Sequence, residues 1–294
     1  MTGRIEVIAA HEVTLGPDEG LPVRRTLPTR ARTLIGAWCF IDHYGPQAEG
    51  AVLGMRVAPH PHTGLQTASW LFSGAVVHRD SAGHHATVRP GELNLMTAGR
   101  GISHSEVSVP GEQALHGVQL WIALPDAARF MAPGFEHYAP PLVHAPGVSA
   151  RVFLGSLLGS SSPVATHTPL VGAELVLEAG TRLHLEVDPA FEHGVLVDAG
   201  AVVLDGEQVP VSSLACVAPG ATRLDLRATE QSRILLIGGV PLGEQIVMWW
   251  NLIGRSHEEI VQFREQWQAE NLGGSTDAAD HPVFGWPIGE AQAP

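Results

Sequence analysis

Two pairs of side chains with metal-binding chemistry constrain this chain more than any other feature. His60 and His62 form the first pair, and His104 and Glu106 form the second. One residue separates the members of each pair, and on an extended strand residues i and i+2 point to the same face. Pro61 favours extended backbone at His60, because the residue before a proline is biased toward it. Each pair is therefore predicted to converge on one point.

The segment between the two pairs reads as an antiparallel meander of short strands. Apolar runs at residues 70–72, 75–77 and 93–96 alternate with breaks at Ser73-Gly74 and Pro90-Gly91, which are typical turn residues. Such a meander can bring the pairs to face each other inside a small barrel. The spacing thus predicts a site of three histidines and one carboxylate. The alternative is a set of surface histidines, because the chain contains 16 of them.

Composition limits the class of protein. A length of 294 residues suits two domains, and 33 glycines with 22 prolines fit a turn-rich β protein. The formal net charge of −13 argues against direct nucleic-acid binding, because such proteins normally present a basic surface. Cys39 and Cys216 lie in no paired motif, so a reducing, cytoplasmic compartment is expected. Neither a signal peptide nor an apolar run of about 18 residues is evident, so no membrane association is expected.

The second half of the chain carries a weak copy of the first. Two short runs recur at nearly equal offsets: Gly74-Ala75-Val76-Val77 as Gly200-Ala201-Val202-Val203, and Pro90-Gly91 as Pro219-Gly220. A repeat on this scale predicts two copies of one barrel. We expect residues 1–130 to form an N-terminal, metal-binding barrel and residues 131–294 to form a C-terminal barrel with a helix and a tail.

The metal-binding pairs do not repeat. The same offsets lead to Glu186 and Asp188 for the first pair, and to Arg233 and Leu235 for the second. An arginine and a leucine cannot serve as ligands, so the second barrel is predicted to have lost its metal. The competing interpretation is a weak site formed by Glu186 and Asp188 together with His184.

A short helix is predicted near the C-terminus. Ser256 and Glu259 have the spacing of a capping box, and apolar residues follow at helical intervals from Ile260 to Trp267. Gly273-Gly274 is the expected end of this helix. Residues 275–294 are expected to be a loosely held tail.

The motifs around both pairs resemble those of the pirin family of the cupin superfamily. The resemblance is close over residues 22–125 and looser toward the C-terminus. It is carried by residues 36–43, His60-Pro61-His62-Thr63-Gly64, Val77-His78-Arg79-Asp80-Ser81, and residues 89–92, 96–106 and 116–125.

This resemblance implies an all-β fold of two cupin-type (jelly-roll) β-barrels in one chain. It also implies an iron-type metal held by four positions that are all present here, namely His60, His62, His104 and Glu106. Gln66 stands where the family usually has a glutamate, and Leu65 and Trp70 also depart from the family pattern. These three residues are expected to change the pocket lining and the substrate.

The chemistry of such a site allows two functions. Imidazole and carboxylate ligands suit one divalent transition metal, which can be Fe, Mn, Ni, Cu or Zn, and the resemblance favours Fe(II). It implies an activity like that of quercetin 2,3-dioxygenases, in which a flavonol or other phenolic substrate is opened with O2, and Glu106 is the candidate catalytic base. The alternative is a non-catalytic, metal- or redox-sensing protein that binds a transcription factor or a metabolic enzyme.

Overall fold

The computed structural model contains two antiparallel β-barrels and one helix, and it describes residues 5–15, 21–46, 54–112 and 114–269. The predicted helix end at 273–274 and the predicted tail lie outside the described residues. The first twelve strands, in chain order, are β1 Glu6–Ala9, β2 His11–Leu15, β3 Leu21–Leu27, β4 Trp38–Tyr44, β5 Arg56–His62, β6 Leu65–Ser73, β7 Val76–Asp80, β8 His85–Val88, β9 Leu93–Thr97, β10 Ile102–Ser108, β11 His116–Ala123 and β12 Gly134–Tyr138.

The second half of the described chain supplies fourteen further strands and the helix. These are β13 Val143–Ala145, β14 Val148–Leu154, β15 Ser156–Leu157, β16 Ser160–Ser161, β17 Leu170–Leu177, β18 Arg182–Glu186, β19 Glu192–Ala199, β20 Val202–Leu204, β21 Glu207–Val209, β22 Ser213–Val217, β23 Arg223–Ala228, β24 Ser232–Gly239, β25 Val247–Trp249, β26 Leu252–Gly254 and α1 His257–Gln268. Among the described residues, no helix is both long and apolar enough to span a membrane.

One strand order is repeated in the two barrels. The first barrel pairs a seven-stranded sheet, β12-β9-β6-β11-β4-β3-β2, with a four-stranded sheet, β5-β10-β7-β8. The second pairs β1-β22-β19-β24-β17-β14-β13 with β18-β23-β20-β21. Each strand of the first barrel therefore has a counterpart at the same place in the second. The predicted all-β fold of two repeated barrels is confirmed.

The barrels exchange one edge strand. β1, the first strand of the chain, pairs with β22 of the second barrel, from Glu6 opposite Cys216 to Ala9 opposite Ser213. β12, which follows residue 130, pairs with β9 of the first barrel. Both additions cover a sheet edge that would otherwise present unpaired backbone N–H and C=O groups. The division of the chain at residue 130 stays a prediction. In the structure, one strand from each side of this boundary pairs with the barrel on the other side.

The strand order corrects the sequence alignment of the two halves. Pro219-Gly220 follows β22, whose counterpart is β9, so it corresponds to the turn at Gly99–Gly101 and not to Pro90-Gly91. The offset failed because the connection from β20 to β22 is shorter than that from β7 to β9. Arg233 and Leu235 lie on β24, the counterpart of β11, and the true counterpart of β10 is β23.

The two seven-stranded sheets pack against each other through a shared apolar core. Trp38 and Trp70 of the first barrel are both fully buried there. The Trp70 ring stacks on Phe153 of the second barrel with 4.6 Å between centroids, and the Trp38 indole donates to the carbonyl of Gly238 at 3.1 Å. Central strands such as β17 and β24 are buried along almost their whole length, because they cover a core on each face.

The chain returns to the first barrel after completing the second. The Ile253 N–H donates to the Thr63 carbonyl at 3.1 Å, and Leu252 bridges to Thr63. Gly64 makes this approach feasible, because it has φ of +68° and a Cβ there would lie 2.5 Å from the Ile253 carbonyl oxygen. Residues next to the predicted ligand His62 are thus in contact with the C-terminal segment.

The helix α1 fixes that segment in place. Its predicted cap is confirmed, since the Ser256 side chain accepts from the Glu259 N–H. The Glu259 carboxylate binds the N–H of Arg255 and both terminal nitrogens of Arg129, at 2.7–2.9 Å. Ile260 and Phe263 are buried against Leu252. The sequence predicts this helix as part of the C-terminal domain, and in the structure Arg129 also ties it to the chain that leaves the first barrel.

Substitution of Phe153 is expected to destabilise the packing between the sheets. Phe153→Ala removes a ring with no exposed surface, and such a truncation costs about 3–5 kcal/mol because a cavity remains. Phe130→Ala is the matched control, because the Phe130 side chain is 52% exposed and its loss should change stability by less than about 0.5 kcal/mol. Urea unfolding measures both values. Equal stability of the two variants would contradict the assigned core.

Candidate metal centre

Two neighbouring strands of the first barrel bring the predicted histidines together. β5 carries His60 and His62, and it pairs antiparallel with β10 so that His104 lies opposite His60. The three rings are 4.4–4.9 Å apart between centroids, and the Nε2 atoms of His62 and His104 are 3.0 Å apart. One ligand atom from each of the three residues lies within 4.8 Å of the others. The structure thus brings these three imidazoles together, and their role as metal ligands stays a prediction.

Backbone carbonyls set the tautomer of two of these rings. The Nδ1 of His60 lies 2.8 Å from the Ala58 carbonyl oxygen, and the Nδ1 of His62 lies 3.2 Å from that of Asn251. A carbonyl only accepts, so each Nδ1 carries the proton and donates it. In the neutral ring, Nε2 then keeps its lone pair and faces the cluster, which is the usual arrangement of a metal-binding histidine.

Burial keeps all three imidazoles neutral. It lowers the pKa of His60 to about 4. Burial followed by the neighbouring imidazoles lowers the pKa of His62 and that of His104 well below the ordinary value. Neutral imidazole is the form that binds a metal, and lone pairs that converge at close distance repel each other unless a cation lies between them. This donor set fits a divalent transition metal.

Glu106 lies beside this cluster and contacts it through His104. Its carboxylate, together with His78 and His104, forms a second group whose ligand atoms lie within 4.8 Å of one another. The Ser69 hydroxyl lies 3.2 Å from a Glu106 oxygen and 2.8 Å from the side-chain oxygen of Gln119. Burial raises the pKa of Glu106, so its carboxylate is a stronger base than usual. The four-residue ligand set stays a prediction.

Two residues beside the cluster were not singled out from the sequence as candidates for the site. His78 and Asp80 are carried by β7, on the side of β10 away from β5. The Nδ1 of His78 lies 3.3 Å from the Nδ1 of His104, and its Nε2 lies 3.1 Å from an oxygen of Asp80. Their His-x-Asp spacing is the same i, i+2 signal as in the other pairs, and it could have found them.

Aromatic side chains line the cluster. Trp121 meets the His62 ring edge-on at 5.1 Å, and Phe40 stacks on Trp121 at 3.9 Å. On the other side Phe135 lies 4.9 Å from the His78 ring. Met248 of the C-terminal segment packs against the same apolar group. These residues surround part of the histidine cluster with aromatic and apolar side chains.

The expectation that Gln66 and Trp70 alter this pocket is wrong. Trp70 belongs to the core between the barrels, and its indole donates to Glu174 of the second barrel at 3.0 Å. Gln66 is on the same face of β6, because even-numbered positions alternate away from the barrel interior, and it donates to Thr97 at 2.9 Å. Only Leu65 packs in the apolar group that contains Trp121.

A second histidine cluster lies between the barrels. The Nε2 atoms of His43 and His116 lie 2.7 and 2.6 Å from one oxygen of Asp198, whose other oxygen binds Arg233 at 3.1 Å. Arg24 lies 3.3 Å from the Nε2 of His43. Asp198 is thus already neutralised, and two guanidinium groups disfavour a further cation. We interpret this group as an ionic contact that joins the two barrels.

The interior of the second barrel is apolar where the first carries its histidines. β18 pairs with β23 as β5 pairs with β10, but the inward positions are held by Leu185, Leu224 and Leu226, each at most 2% exposed. His184 is on the opposite face, 67% exposed, and pairs with Asp225 at 2.5 Å. The alternative site at His184 and its neighbours therefore lies on the outer face. The predicted loss of metal stays a prediction, which this leucine core supports.

Two repeated jelly-roll barrels, with three histidines converging inside the first, define a bicupin with a candidate metal centre in its first barrel. The family model described as Pirin matches residues 20–122, and that of the Pirin C-terminal cupin domain matches residues 172–273. The chain belongs to the pirin family.

Known relatives span nearly the whole chain. It is 42% identical to a putative quercetin 2,3-dioxygenase of Pseudomonas aeruginosa, over 91% of this chain and 86% of that protein. It is 36% identical to a pirin-like protein of Caulobacter vibrioides, over 90% of this chain and 93% of the relative. A crystal structure of quercetin 2,3-dioxygenase from Acinetobacter baumannii superposes with a TM-score of 0.90 and 37% identity, covering 99% and 97% of the two chains.

Folding stability is predicted to depend on pH through His193 of the second barrel. Burial lowers the pKa of this imidazole to about 4, whereas the unfolded chain titrates near 6.5. Because the folded pKa is the lower one, the unfolded state binds the proton first. The stability present above about pH 6.5 is therefore lost progressively as the pH falls toward about 4.

His193→Gln should remove this contribution. Between about pH 7 and pH 5, His193 is expected to account for a loss of about 1–2 kcal/mol in the free energy of unfolding. Urea unfolding at both pH values should show a smaller decrease in the variant than in the unsubstituted protein. Parallel pH profiles would show that His193 does not titrate in this way.

Proposed function

We propose that this chain is a metal-dependent dioxygenase that opens the central ring of a flavonol such as quercetin with O2. The observation that carries the proposal is the convergence of three neutral imidazoles, with the Nε2 atoms of His62 and His104 3.0 Å apart, next to aromatic side chains. The relatives named as quercetin dioxygenases support it. His60, His62 and His104 hold one divalent transition-metal ion, and Glu106 completes the set.

The metal is proposed to be Fe(II). Imidazole and carboxylate donors also accept Mn, Ni, Cu and Zn, so the donor set alone does not choose among them. When bound, the ion supplies a Lewis acid that lowers the pKa of a phenolic hydroxyl beside it, together with coordination positions for small ligands.

Glu106 is proposed to move the proton of the substrate. Its raised pKa makes the carboxylate a competent acceptor for the proton of a flavonol 3-hydroxyl. The Ser69 hydroxyl, 3.2 Å away, holds the carboxylate in position and can stabilise its ionised form. Loss of this proton leaves an electron-rich ring that O2 can attack.

The aromatic walls are proposed to bind and orient the flavonol. The stacked pair of Trp121 and Phe40 presents flat apolar surface beside His62, and offset stacking on a planar substrate is favourable. Met248 supplies an adaptable apolar contact from the C-terminal segment. These walls also exclude bulk water, which protects a reactive substrate anion from competing protonation.

Metal content tests the ligand assignment. The purified protein, loaded with Fe(II) without oxygen and desalted, should retain about one ion per chain by elemental analysis. His104→Ala should lose most of this metal, because it removes the imidazole that contacts both His62 and the Glu106 group. His184→Ala is the matched control, since its side chain is 67% exposed in the other barrel, and should retain the metal. Equal metal content in the two variants would refute the assignment.

Oxygen consumption tests the reaction. The Fe(II)-loaded protein should consume O2 with a flavonol that has a free 3-hydroxyl, and a 3-methoxy analogue should be inert because it has no proton to lose. Glu106→Gln, compared per bound metal, should lower kcat by about 10²–10⁴-fold, which is the usual worth of a general base, and change KM much less.

The outcomes separate the parts of the proposal. Oxygen uptake with full activity in Glu106→Gln would leave the metal site intact and reject Glu106 as the base. No uptake with any flavonol or phenol would reject the dioxygenase function. A metal- or redox-sensing role toward a transcription factor or metabolic enzyme would then be the better hypothesis.

A further inference from the structure

A buried dyad lies directly behind His104 and has no part in the proposed reaction. β7 pairs with β10 on the side opposite β5, so that His104 faces Asp80 in the strand register and Glu106 faces His78. Asp80 and His78 are 6% and 3% exposed. The dyad therefore lies beside the candidate metal centre but outside its proposed ligands.

Asp80 is held by donors alone. Its Oδ1 accepts the N–H groups of Ala82 and His84, both at 3.0 Å, and the Nδ1 of His84 lies 3.0 Å from both oxygens. The Nε2 of His78 lies 3.1 Å from Oδ2. Burial alone would raise the pKa of Asp80, but the hydrogen bonds from His78 and from the His84 backbone lower it. The carboxylate is thus ionised and only accepts.

The Asp80 carboxylate sets the direction of the first hydrogen bond in the chain that leads to His104. Because Asp80 only accepts, the Nε2 of His78 carries a proton and donates it. When His104 binds a cation through its Nε2, its Nδ1 carries the proton. The Nδ1 of His78, 3.3 Å away, is then the acceptor, while the Nε2 of the same ring donates to Asp80.

The same tautomer is imposed on His60 and His62 by backbone carbonyls. His104 differs, because its Nδ1 has a side chain and not a carbonyl as its partner. A ring with two nitrogens can otherwise adopt either tautomer, and the tautomer with a proton on Nε2 cannot bind a metal there. The direction of the bond to His78 thus decides whether all three imidazoles are ready for a cation.

We propose that Asp80 and His78 act as a positioning dyad that holds His104 in its metal-binding tautomer and ring orientation, and thereby sets the affinity of the first barrel for its metal. The proposal rests on the proposed ligand role of His104. It concerns metal affinity and is independent of the reaction that the metal supports.

The geometry favours this role over a ligand role for His78. His78, His104 and Glu106 also lie close enough together to hold an ion. However, both nitrogens of His78 already have partners, Nε2 with Asp80 and Nδ1 with His104. Phe135, 4.9 Å from the His78 ring, further restricts its rotation. A ring so restrained is suited to orient a neighbour.

The test measures metal affinity in a set of variants of the full chain. His78→Leu removes both hydrogen bonds, whereas His78→Gln keeps an acceptor toward His104 and a donor toward Asp80. Asp80→Asn is nearly isosteric and removes only the all-acceptor carboxylate. His85→Leu is the matched control, because His85 is exposed on β8 beside β7. Competition with a chromophoric chelator gives the Kd for Co(II), and the visible d–d bands of Co(II) report the ligand geometry.

The dyad predicts a graded result. His78→Leu should weaken Co(II) binding by about 10–100-fold, the usual effect of removing a group that orients a metal ligand, and should shift the d–d bands. Asp80→Asn should weaken binding less, and His78→Gln should recover most of the affinity and the original spectrum. His85→Leu should match the unsubstituted protein. Urea unfolding midpoints show whether a variant is globally destabilised. If destabilisation were the cause of weaker binding, His78→Gln would not restore the Co(II) spectrum.

Two outcomes overturn the proposal. Unchanged Kd and spectrum in both His78→Leu and Asp80→Asn would show that the dyad does not position His104. Equal loss in His78→Gln and His78→Leu, with unaltered unfolding midpoints, would show that the hydrogen bonds are not the cause. His104→Ala separates the ligand role of His104 from the positioning role of the dyad. If His104→Ala keeps full affinity for Co(II), the ligand assignment itself fails. If His104→Ala loses the metal while the His78 and Asp80 variants keep it, only the dyad is rejected.

Discussion

The antiparallel pairing of β5 with β10 is the contact on which the candidate metal centre depends. It places His104 opposite His60, and the pleat directs His62 to the same interior. β7 extends the sheet beyond β10 and adds His78 and Asp80 behind His104. A shift of one residue in this register would turn the imidazoles of one strand away from the barrel. The site is therefore a property of strand register before it is a property of side-chain chemistry.

The second barrel shows how much depends on which side chains of a strand face the barrel interior. β18 and β23 form the same pair in the same sheet order, and β18 even carries a histidine and a glutamate two residues apart. Their side chains face outward, because Leu183 and Leu185 occupy the inward phase of that strand. Barrels of one topology are thus filled once with imidazoles and a carboxylate, and once with leucine. The leucine interior gains apolar burial that buried, unpaired polar groups would forfeit.

The sequence predicted what depends on local spacing. The placement of His60 and His62 on one strand and the cap at Ser256 could be predicted, because strand alternation and helix capping act over a few residues. The duplication was visible only through one short run that recurs, Gly74-Ala75-Val76-Val77 as Gly200-Ala201-Val202-Val203. The inter-barrel contact of His43 and His116 with Asp198 was not, since it joins positions about 80 to 155 apart on different strands. The alternation of polar and apolar residues in β18 was visible in the sequence. Which of its two faces points inward is decided only when the strands close into a barrel. The alignment of Pro90 with Pro219 failed because loop lengths differ between the halves.

The second barrel contributes to the candidate site through the chain that leaves it. The carbonyl of Asn251 accepts the Nδ1 proton of His62, a role that no side-chain pattern in the sequence could reveal because the group is backbone. Asn251 is held there by the bridge of Leu252 to Thr63 and by α1, whose Glu259 is bound by Arg129. That segment reaches His62 only after the second barrel has brought the chain back across the shared core. Backbone carbonyls thus set the tautomer of two of the three imidazoles. The carbonyl of Ala58 acts on His60 from the same strand, and that of Asn251 acts on His62 from the C-terminal segment. The third imidazole owes its tautomer to Asp80 and His78, so every lone pair in the cluster is fixed from outside it.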